Sequence, residues 1–286
     1  MVRIVTDSSA DLPEAIANEL NITVVKSRIL FGREVYLDGI DISTNEFYNK
    51  VRSHRYFPQT TPGSPLVVYQ RIKHIEEMGE DILMITLPES LSKWQDTAKI
   101  TLSNITKVDT HIYDSTGVSM YQGLLTIQAA RLAREGYLLN EIISKLDEIN
   151  DRTIAYAIIG NLDFLIRGGR LPVAKGAIGN LLGKTPILEV TNSELKPVES
   201  PRGIDKGINI VIDKLRNRFT KEEPIIAGIM HSENPVKATE MANLVLENFN
   251  VQHLYHSKFG PTIGANVGPG SVGVSFSPLL PELIET

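Results

Sequence analysis

Val2-Arg3-Ile4-Val5-Thr6-Asp7-Ser8-Ser9-Ala10-Asp11-Leu12-Pro13 joins a β-branched run to a polar turn and a proline. Pro13 then opens an amphipathic stretch, Glu14–Leu20. The order reads strand, turn, helix. Ile112-Tyr113-Asp114-Ser115-Thr116-Gly117 repeats it ahead of a predicted helix, Val118–Arg134. Between them lie a predicted helix Leu66–Glu77 and a strand Asp81–Leu87. Strands alternating with helices predict a mostly parallel α/β sheet in the first half. Functional loops of such a sheet lie at the carboxyl ends of its strands. Three of those ends are hydroxyl-rich: Ser8-Ser9, Ser90-Leu91-Ser92 and Ser115-Thr116.

Further local signals fill in the first half. Ile22–Phe31 and Val35–Leu37 flank Gly32-Arg33 and read as a hairpin. Ser43-Thr44-Asn45-Glu46 is a capping box that opens a helix to about Arg52. Pro58-Gln59-Thr60-Thr61-Pro62-Gly63-Ser64-Pro65 reads as a loop.

The texture changes after a helix at Asn140–Ile149 and a strand at Thr153–Ile159. A short helix, Leu162–Arg167, stops at Gly168-Gly169, and residues 174–183 are rich in Gly and Ala. A hairpin follows, Ile187–Val190 and Leu195–Val198. Helices Ile204–Arg218 and Pro235–Phe249 then alternate with strands Ile225–Met230, Val251–Ser257 and Val272–Phe276. This mixture predicts an α+β domain with a mixed sheet. The expected division is 1–158 for the parallel α/β domain and 159–286 for the α+β domain.

The composition bounds the function. With 286 residues and 42% hydrophobic content, one large domain or two smaller ones can form real cores. A net charge of −5 argues against a broad nucleic-acid surface. Cysteine is absent, so disulfides and thiolate metal sites are excluded. The N-terminus turns polar too soon for a signal peptide, and no apolar run reaches membrane-spanning length. A cytoplasmic protein without stable membrane insertion is the expectation.

Several motifs fail on context. Gly268-x-Gly270-x-x-Gly273 spells a dinucleotide fingerprint, but only 13 residues follow Gly273, and Pro278 and Pro281 are among them. The fingerprint needs a helix and a distant acid there. Gly183-Lys184-Thr185 resembles the end of a phosphate loop, but Ile178 stands where the first glycine belongs. None of the six histidines makes a metal-binding helical pair, so no metal is expected. Asp7-Ser8 and Asp114-Ser115 read as caps or as acid–nucleophile pairs. Arg167 and Arg170 suit a helix C-terminus, and Arg170 with Arg202 could form an anion or partner site. Thr60, Thr61 and Ser92 are turn hydroxyls, or uncharged donors that orient a carboxylate.

Taken as an ordered set, these segments resemble the DegV family of fatty-acid-binding proteins. The resemblance rests on Ile4–Pro13, Thr60–Pro65, Leu91-Ser92, Tyr113–Ser115, residues 162–171, Lys184–Leu188, Ile263–Ala265 and Gly268–Gly270. It implies two α/β domains with one long-chain fatty acid, such as palmitate, stearate or oleate, buried between them. It implies a carrier and not an enzyme, without cofactor. A separate fatty acid kinase would phosphorylate the bound carboxylate. By this resemblance Thr60, Thr61 and Ser92 bind the carboxylate. Asn266, Gly268 and Gly270 lie near the head group, and Arg170 and Arg202 face the partner or the phosphate. The chain departs from the family pattern at Asn266, where members usually carry His, and at Lys93-Trp94-Gln95, where Gly-Thr-Tyr is usual. A serine hydrolase or phosphotransferase using Ser8 or Ser115, or a lipid-responsive regulator, are the alternatives.

Overall fold

The computed structural model describes residues 1–170 and 183–284. The Gly/Ala-rich stretch 174–182, Ile178 and residue 171 of the family motif lie outside the described residues.

Four strands form a wholly parallel sheet in the order β2-β1-β6-β7: β1 (Val2–Asp7), β2 (Thr23–Val25), β6 (Asp81–Thr86) and β7 (Thr110–Asp114). Helices α1 (Glu14–Glu19), α3 (Pro65–Glu77) and α4 (Trp94–Leu102) fill its crossovers. The anticipated strand Ile22–Phe31 is divided. Thr23–Val25 joins the parallel sheet, whereas β3 (Arg28–Phe31) forms the hairpin with β4 (Glu34–Leu37). The split falls at Lys26-Ser27, where the chain leaves one sheet for another. The proline-flanked segment expected as loop holds a short strand, β5 (Gln59–Thr61), on the other edge of β3. Two consecutive β-branched threonines suit that edge, and the prolines beyond them end it. The capping box forms as expected, with Ser43 and Glu46 closing the start of α2 (Thr44–Ser53).

Six strands form the second, mixed sheet in the order β10-β9-β8-β13-β11-β12. These are β8 (Ile154–Ile158), β9 (Ile187–Thr191), β10 (Glu194–Glu199), β11 (Pro224–His231), β12 (Asn250–Lys258) and β13 (Val272–Pro278). Only β11 and β12 pair in parallel. Helices α8 (Ile204–Arg216) and α9 (Pro235–Asn248) cover one face. The boundary expected after residue 158 falls at the end of β8, whose ladders run to β9 and β13.

A central helix packs between the two sheets. α5 (Met120–Arg134) packs on β1 and β6 on one side and on β11 and β13 on the other. Twelve of its fifteen residues are buried, as a helix that is apolar nearly all round requires. Its buried amides are satisfied from both directions. Gln122 Nε2 donates to Thr6 Oγ1 (2.9 Å) and Asp7 Oδ2 (3.0 Å) beside the parallel sheet. Gln128 Nε2 donates to Ser277 Oγ and Pro278 O (both 3.1 Å) beside the mixed sheet. α6 (Leu139–Asn150) packs against α5 and leads into β8.

The glycine-dense C-terminal stretch is a short helix and a turn. Pro261–Val267 is helical and holds Gly264 in its interior. Gly270 has φ +83°, and its backbone crosses Gly160 so closely that a Cβ on Gly160 would lie 2.5 Å from Gly270 C. Gly160 permits that approach, and Gly270 supplies the positive φ of the turn.

Candidate functional site

An interlobe cavity of about 220 Å³ is lined from both sheets. The parallel-sheet side contributes Leu87, Leu91, Ser92 and Trp94 after β6, Ser27 after β2, and Thr60 and Thr61 from β5. The mixed-sheet side contributes Ala155 to Ala157, Leu188, Val190, Leu195 and Met230. α7 (Leu162–Gly168) and α10 (Pro261–Val267) close it with Leu165, Ile263, Asn266 and Val267. The lining is mostly apolar, as expected of a site whose ligand gains affinity by burial.

Hydroxyls on the wall differ in what they have left to donate. Ser119 Oγ donates to Asp11 (2.6 Å), Thr262 Oγ1 to Asp38 (2.5 Å) and the Tyr156 hydroxyl to Glu189 (2.8 Å). Thr61 Oγ1 is turned to Pro62 O at 3.3 Å. Thr60 Oγ1 makes no hydrogen bond among the described residues. Ser92 Oγ accepts from Trp94 N (3.3 Å), and Ser27 Oγ accepts from Trp94 Nε1 (3.0 Å). A hydroxyl that accepts still has its own proton to give. Among the described residues, Ser27, Thr60 and Ser92 are therefore the lining hydroxyls free to donate into the cavity. Ser27 was not foreseen. Its only sequence signal is that Lys26-Ser27-Arg28 interrupts the apolar residues of the predicted strand Ile22–Phe31, which marks a break and not a ligand.

The polar end of the cavity follows from a second recess. Thr60, Arg170 and Asn266 also line an adjoining pocket with Gln59, Arg167 and Gly168, so the two spaces meet at those three side chains. Arg170 Nη1 donates to Gly168 O (2.7 Å) at the end of α7. Arg167 lies over the Phe57 ring at 5.5 Å. Asn266 Nδ2 donates back to Thr262 O (3.2 Å), and Asn266 Oδ1 is buried with no hydrogen-bond partner among the described residues. It sits so close to Gly168 that a Cβ there would meet it at 2.5 Å. Gly268 and Gly270 shape the turn after α10 and do not line the cavity; Arg202 is exposed and also lies outside its lining.

The serines of the hydrolase alternative are built into turns. Ser115 Oγ is buried, 2.9 Å from both Thr86 O and Gly117 O. Ser8 Oγ accepts from Ser27 N (3.1 Å) and lies 3.4 Å from Thr262 Oγ1. Asp7 Oδ1 accepts from Ser9 N (2.9 Å) and caps the short 3-10 turn Ser8–Ala10, whereas Asp114 Oδ1 accepts from Thr116 N (2.8 Å) in an Asx turn ahead of α5, whose own N-cap is Ser119. Behind the cavity wall, burial pushes the carboxyls of Asp11 and Asp38 above the usual carboxylate range. Among the described residues no three His, Cys, Asp or Glu side chains group as metal ligands, and no helix is long and apolar enough to cross a membrane.

The family model described as "Uncharacterised protein, DegV family" matches residues 1–279. The chain belongs to the DegV family. A DegV domain-containing protein of Caldanaerobacter subterraneus subsp. tengcongensis is 31% identical over 96% of this chain and 98% of its own length. The solved structure of DegV from Bacillus subtilis, described as a fatty acid binding protein, superposes with a TM-score of 0.88 at 27% identity. It covers 97% of this chain and 99% of that one. A Thermotoga maritima DegV described as a lipid binding protein gives a TM-score of 0.88 at 26% identity, covering 97% and 98%. The two-lobe α/β architecture of this chain is thus the DegV fold.

Proposed function

We propose that this DegV-family chain binds one long-chain fatty acid, such as palmitate, stearate or oleate, in the interlobe cavity. The carboxylate lies toward Ser27, Thr60, Thr61 and Ser92, and the tail runs among Leu188, Val190, Leu195 and Met230. The observation that carries this reading is the set of three free hydroxyl donors on a mostly apolar wall, whose lining also includes Lys93 and Arg170. Three neutral donors satisfy a carboxylate without a buried counter-charge, which would itself be costly to desolvate. Burial of roughly 0.8 kcal/mol per methylene supplies the affinity, on the order of 10 kcal/mol gross for sixteen carbons. The fatty-acid and lipid binding ascribed to the B. subtilis and T. maritima relatives supports the same ligand class.

On this reading the protein is a carrier, and chemistry on the carboxylate belongs to a partner kinase. The recess at Thr60, Arg170 and Asn266 is where a phosphoryl donor would approach the head group, with Arg167 and Arg170 supplying positive charge. The exposed Arg202, with Gly268 and Gly270 on the turn after α10, contributes to that docking face. Asn266 offers an amide there and no titrating imidazole.

Native mass spectrometry of the protein purified without added lipid tests the reading directly. A fatty-acid adduct released on denaturation is the expected result. A clean apo mass that persists after incubation with mixed fatty acids overturns it. Trp94, the sole tryptophan and a lining residue, gives a second readout through its emission during titration.

A further inference from the structure

The two lobes are fastened unequally along the seam that encloses the acyl cavity. Around the ends of β11 and β12 the joints are several and mostly buried. Gly260 N donates to Asp11 Oδ1 (2.9 Å), Thr262 Oγ1 to Asp38, the Tyr48 hydroxyl to Phe259 O (2.8 Å) and Ser257 Oγ to Asp11 O. The opposite edge of the mixed sheet is the hairpin of β9 and β10, and it meets the first lobe at its tip. Ser193 N donates to Thr116 O (2.8 Å), and Ser193 O accepts from the exposed Ser90 Oγ (2.8 Å). Among the described residues no other hydrogen bond and no ion pair joins this hairpin to that lobe.

The hairpin is also a wall of the cavity. Leu188 and Val190 of β9 line it, as does Leu195 of β10, which pairs with Val190. The first lobe lines the same cavity with Leu91, next to Ser90, and with Val118, two residues beyond Thr116. β10 is an edge strand, and its ladder is weakened by Pro197, which has no amide to give, and by the register shift that follows. The tip is held in a sparsely populated backbone conformation. Asn192 (φ 49°) and Ser193 (φ 62°) are both left-handed, as in a type I′ turn, whose second place favours glycine. Thr116, the acceptor, is β-branched and left-handed too (φ 56°). Its own lobe fixes it, through Thr116 N to Asp114 Oδ1 (2.8 Å) and Thr116 Oγ1 to Asn150 Oδ1 (3.0 Å). Such conformations persist where neighbours hold them, and they collect at clamps and switches. The first-lobe half of the joint is thus a frame, and the hairpin is the part that can lift.

We propose that the β9–β10 hairpin is the gate of the acyl cavity and that Ser193 is its latch. When the tip lifts from Ser90 and Thr116, the cavity opens between Leu91 and Leu195 and an acyl tail passes through. The use of this gate rests on the fatty-acid reading, whereas its opening does not. A latch outside the cavity closes the empty and the loaded protein alike. It therefore sets how fast the ligand enters and leaves, and not how tightly it is held.

The test uses the intact chain and its Ser90→Ala variant. Amide hydrogen exchange is read at Ser193 and at Gly260, two amides that cross the seam at its opposite ends. Without lipid, Ser193 should exchange at least about tenfold faster than Gly260, as a locally opening segment does. Ser90→Ala should speed exchange at Ser193 by roughly threefold or more, the scale of one neutral hydrogen bond, and leave Gly260 unchanged. Ser90→Thr keeps the hydroxyl and should match the parent. In stopped-flow mixing with oleate, followed by Trp94 emission, Ser90→Ala should raise the on and off rates by the same factor with an unchanged Kd. Protection at Ser193 equal to that at Gly260, or exchange unmoved by Ser90→Ala, overturns the gate. A faster off rate with weaker binding also overturns it, because Ser90 would then be a ligand contact. Emission that oleate leaves unmoved, with exchange as expected, overturns the fatty-acid reading and leaves the opening of the hairpin standing.

Discussion

Ser27 shows how one side chain can belong to a site that its neighbours in sequence do not announce. It reaches the cavity because β2 ends two residues earlier and the chain turns toward the small antiparallel sheet. Its hydroxyl accepts the Trp94 indole proton, so its own proton points elsewhere. Thr60 and Ser92 have the same donor character and are reached from different elements. Hydrogen bonds to a charged group are worth about 1.5–3 kcal/mol each. Thr60→Ala combined with Ser92→Ala should therefore weaken fatty-acid binding at least tenfold, measured by Trp94 emission or by calorimetry. Unchanged affinity would remove the carboxylate from this end of the cavity. Asn266→His, placed where the acyl cavity meets the polar recess, is expected to raise acyl-phosphate formation by an added fatty acid kinase. The rate should follow the protonation of the new imidazole, and a rate that does not move would make position 266 a packing residue alone.

At the scale of elements, α5 carries an asymmetry that sets what its polar residues do. Gln122 serves Asp7 and Thr6, whereas Gln128 serves the last strand and also accepts from Leu280 N (2.9 Å). Gln122→Leu leaves the fully buried Asp7 short of a donor, an uncompensated loss of about 1–3 kcal/mol. The urea midpoint should fall with an unchanged slope, and a neutral substitution would mean that water replaces the amide. Periodicity made α5 readable as a helix, but its central place between the sheets was not, because a helix buried all round shows little amphipathic bias. Short β-branched and apolar runs likewise exposed β1, β6, β7 and the strands of the mixed sheet. They could not expose β5, since three residues pairing at an edge leave no period to count. Helix α10 was hidden by its own glycine, which suggests loop from sequence and is tolerated because Tyr48 and Phe47 pack against it. Thr60, Ser92, Arg170 and Asn266 were nominated by motif, and the structure brings all four to one cavity. The free or occupied state of each hydroxyl depends on partners far away in the chain, and no local pattern encodes that.

For the molecule as a whole, the seam between the lobes is sealed by carboxylates that sit where charge is costly. Asp11 receives Gly260 N and Ser119, Asp38 receives Thr262, and the Tyr48 hydroxyl donates to Phe259 O (2.8 Å) across the same seam. Burial is the main cause that raises Asp7, Asp11 and Asp38 above the ordinary aspartate value. Unfolded aspartates ionise near about 3.9. Between that value and the higher folded values, the folded chain holds more protons than the unfolded one. Its stability must therefore fall as pH rises through this window. The contribution of these groups is fully present below about pH 4 and is lost as pH passes their folded values. Glu34, Glu46, Glu76 and Glu282 are lowered by hydrogen bonds or lysine partners, and they act in the opposite sense: their contribution is present above the unfolded value and is lost on acidification. A difference measurement separates the two groups. Asp11→Asn and Asp38→Asn keep the shape and an acceptor oxygen but cannot ionise. Relative to the unsubstituted chain, each should therefore gain stability steadily as pH is raised from about 4 toward neutrality in urea unfolding series. A pH-independent difference would mean that the lobes meet over carboxyls whose ionisation is already accommodated. A gain that grows with pH would identify the seam as the place where this fold trades stability for a polar junction between its two lobes.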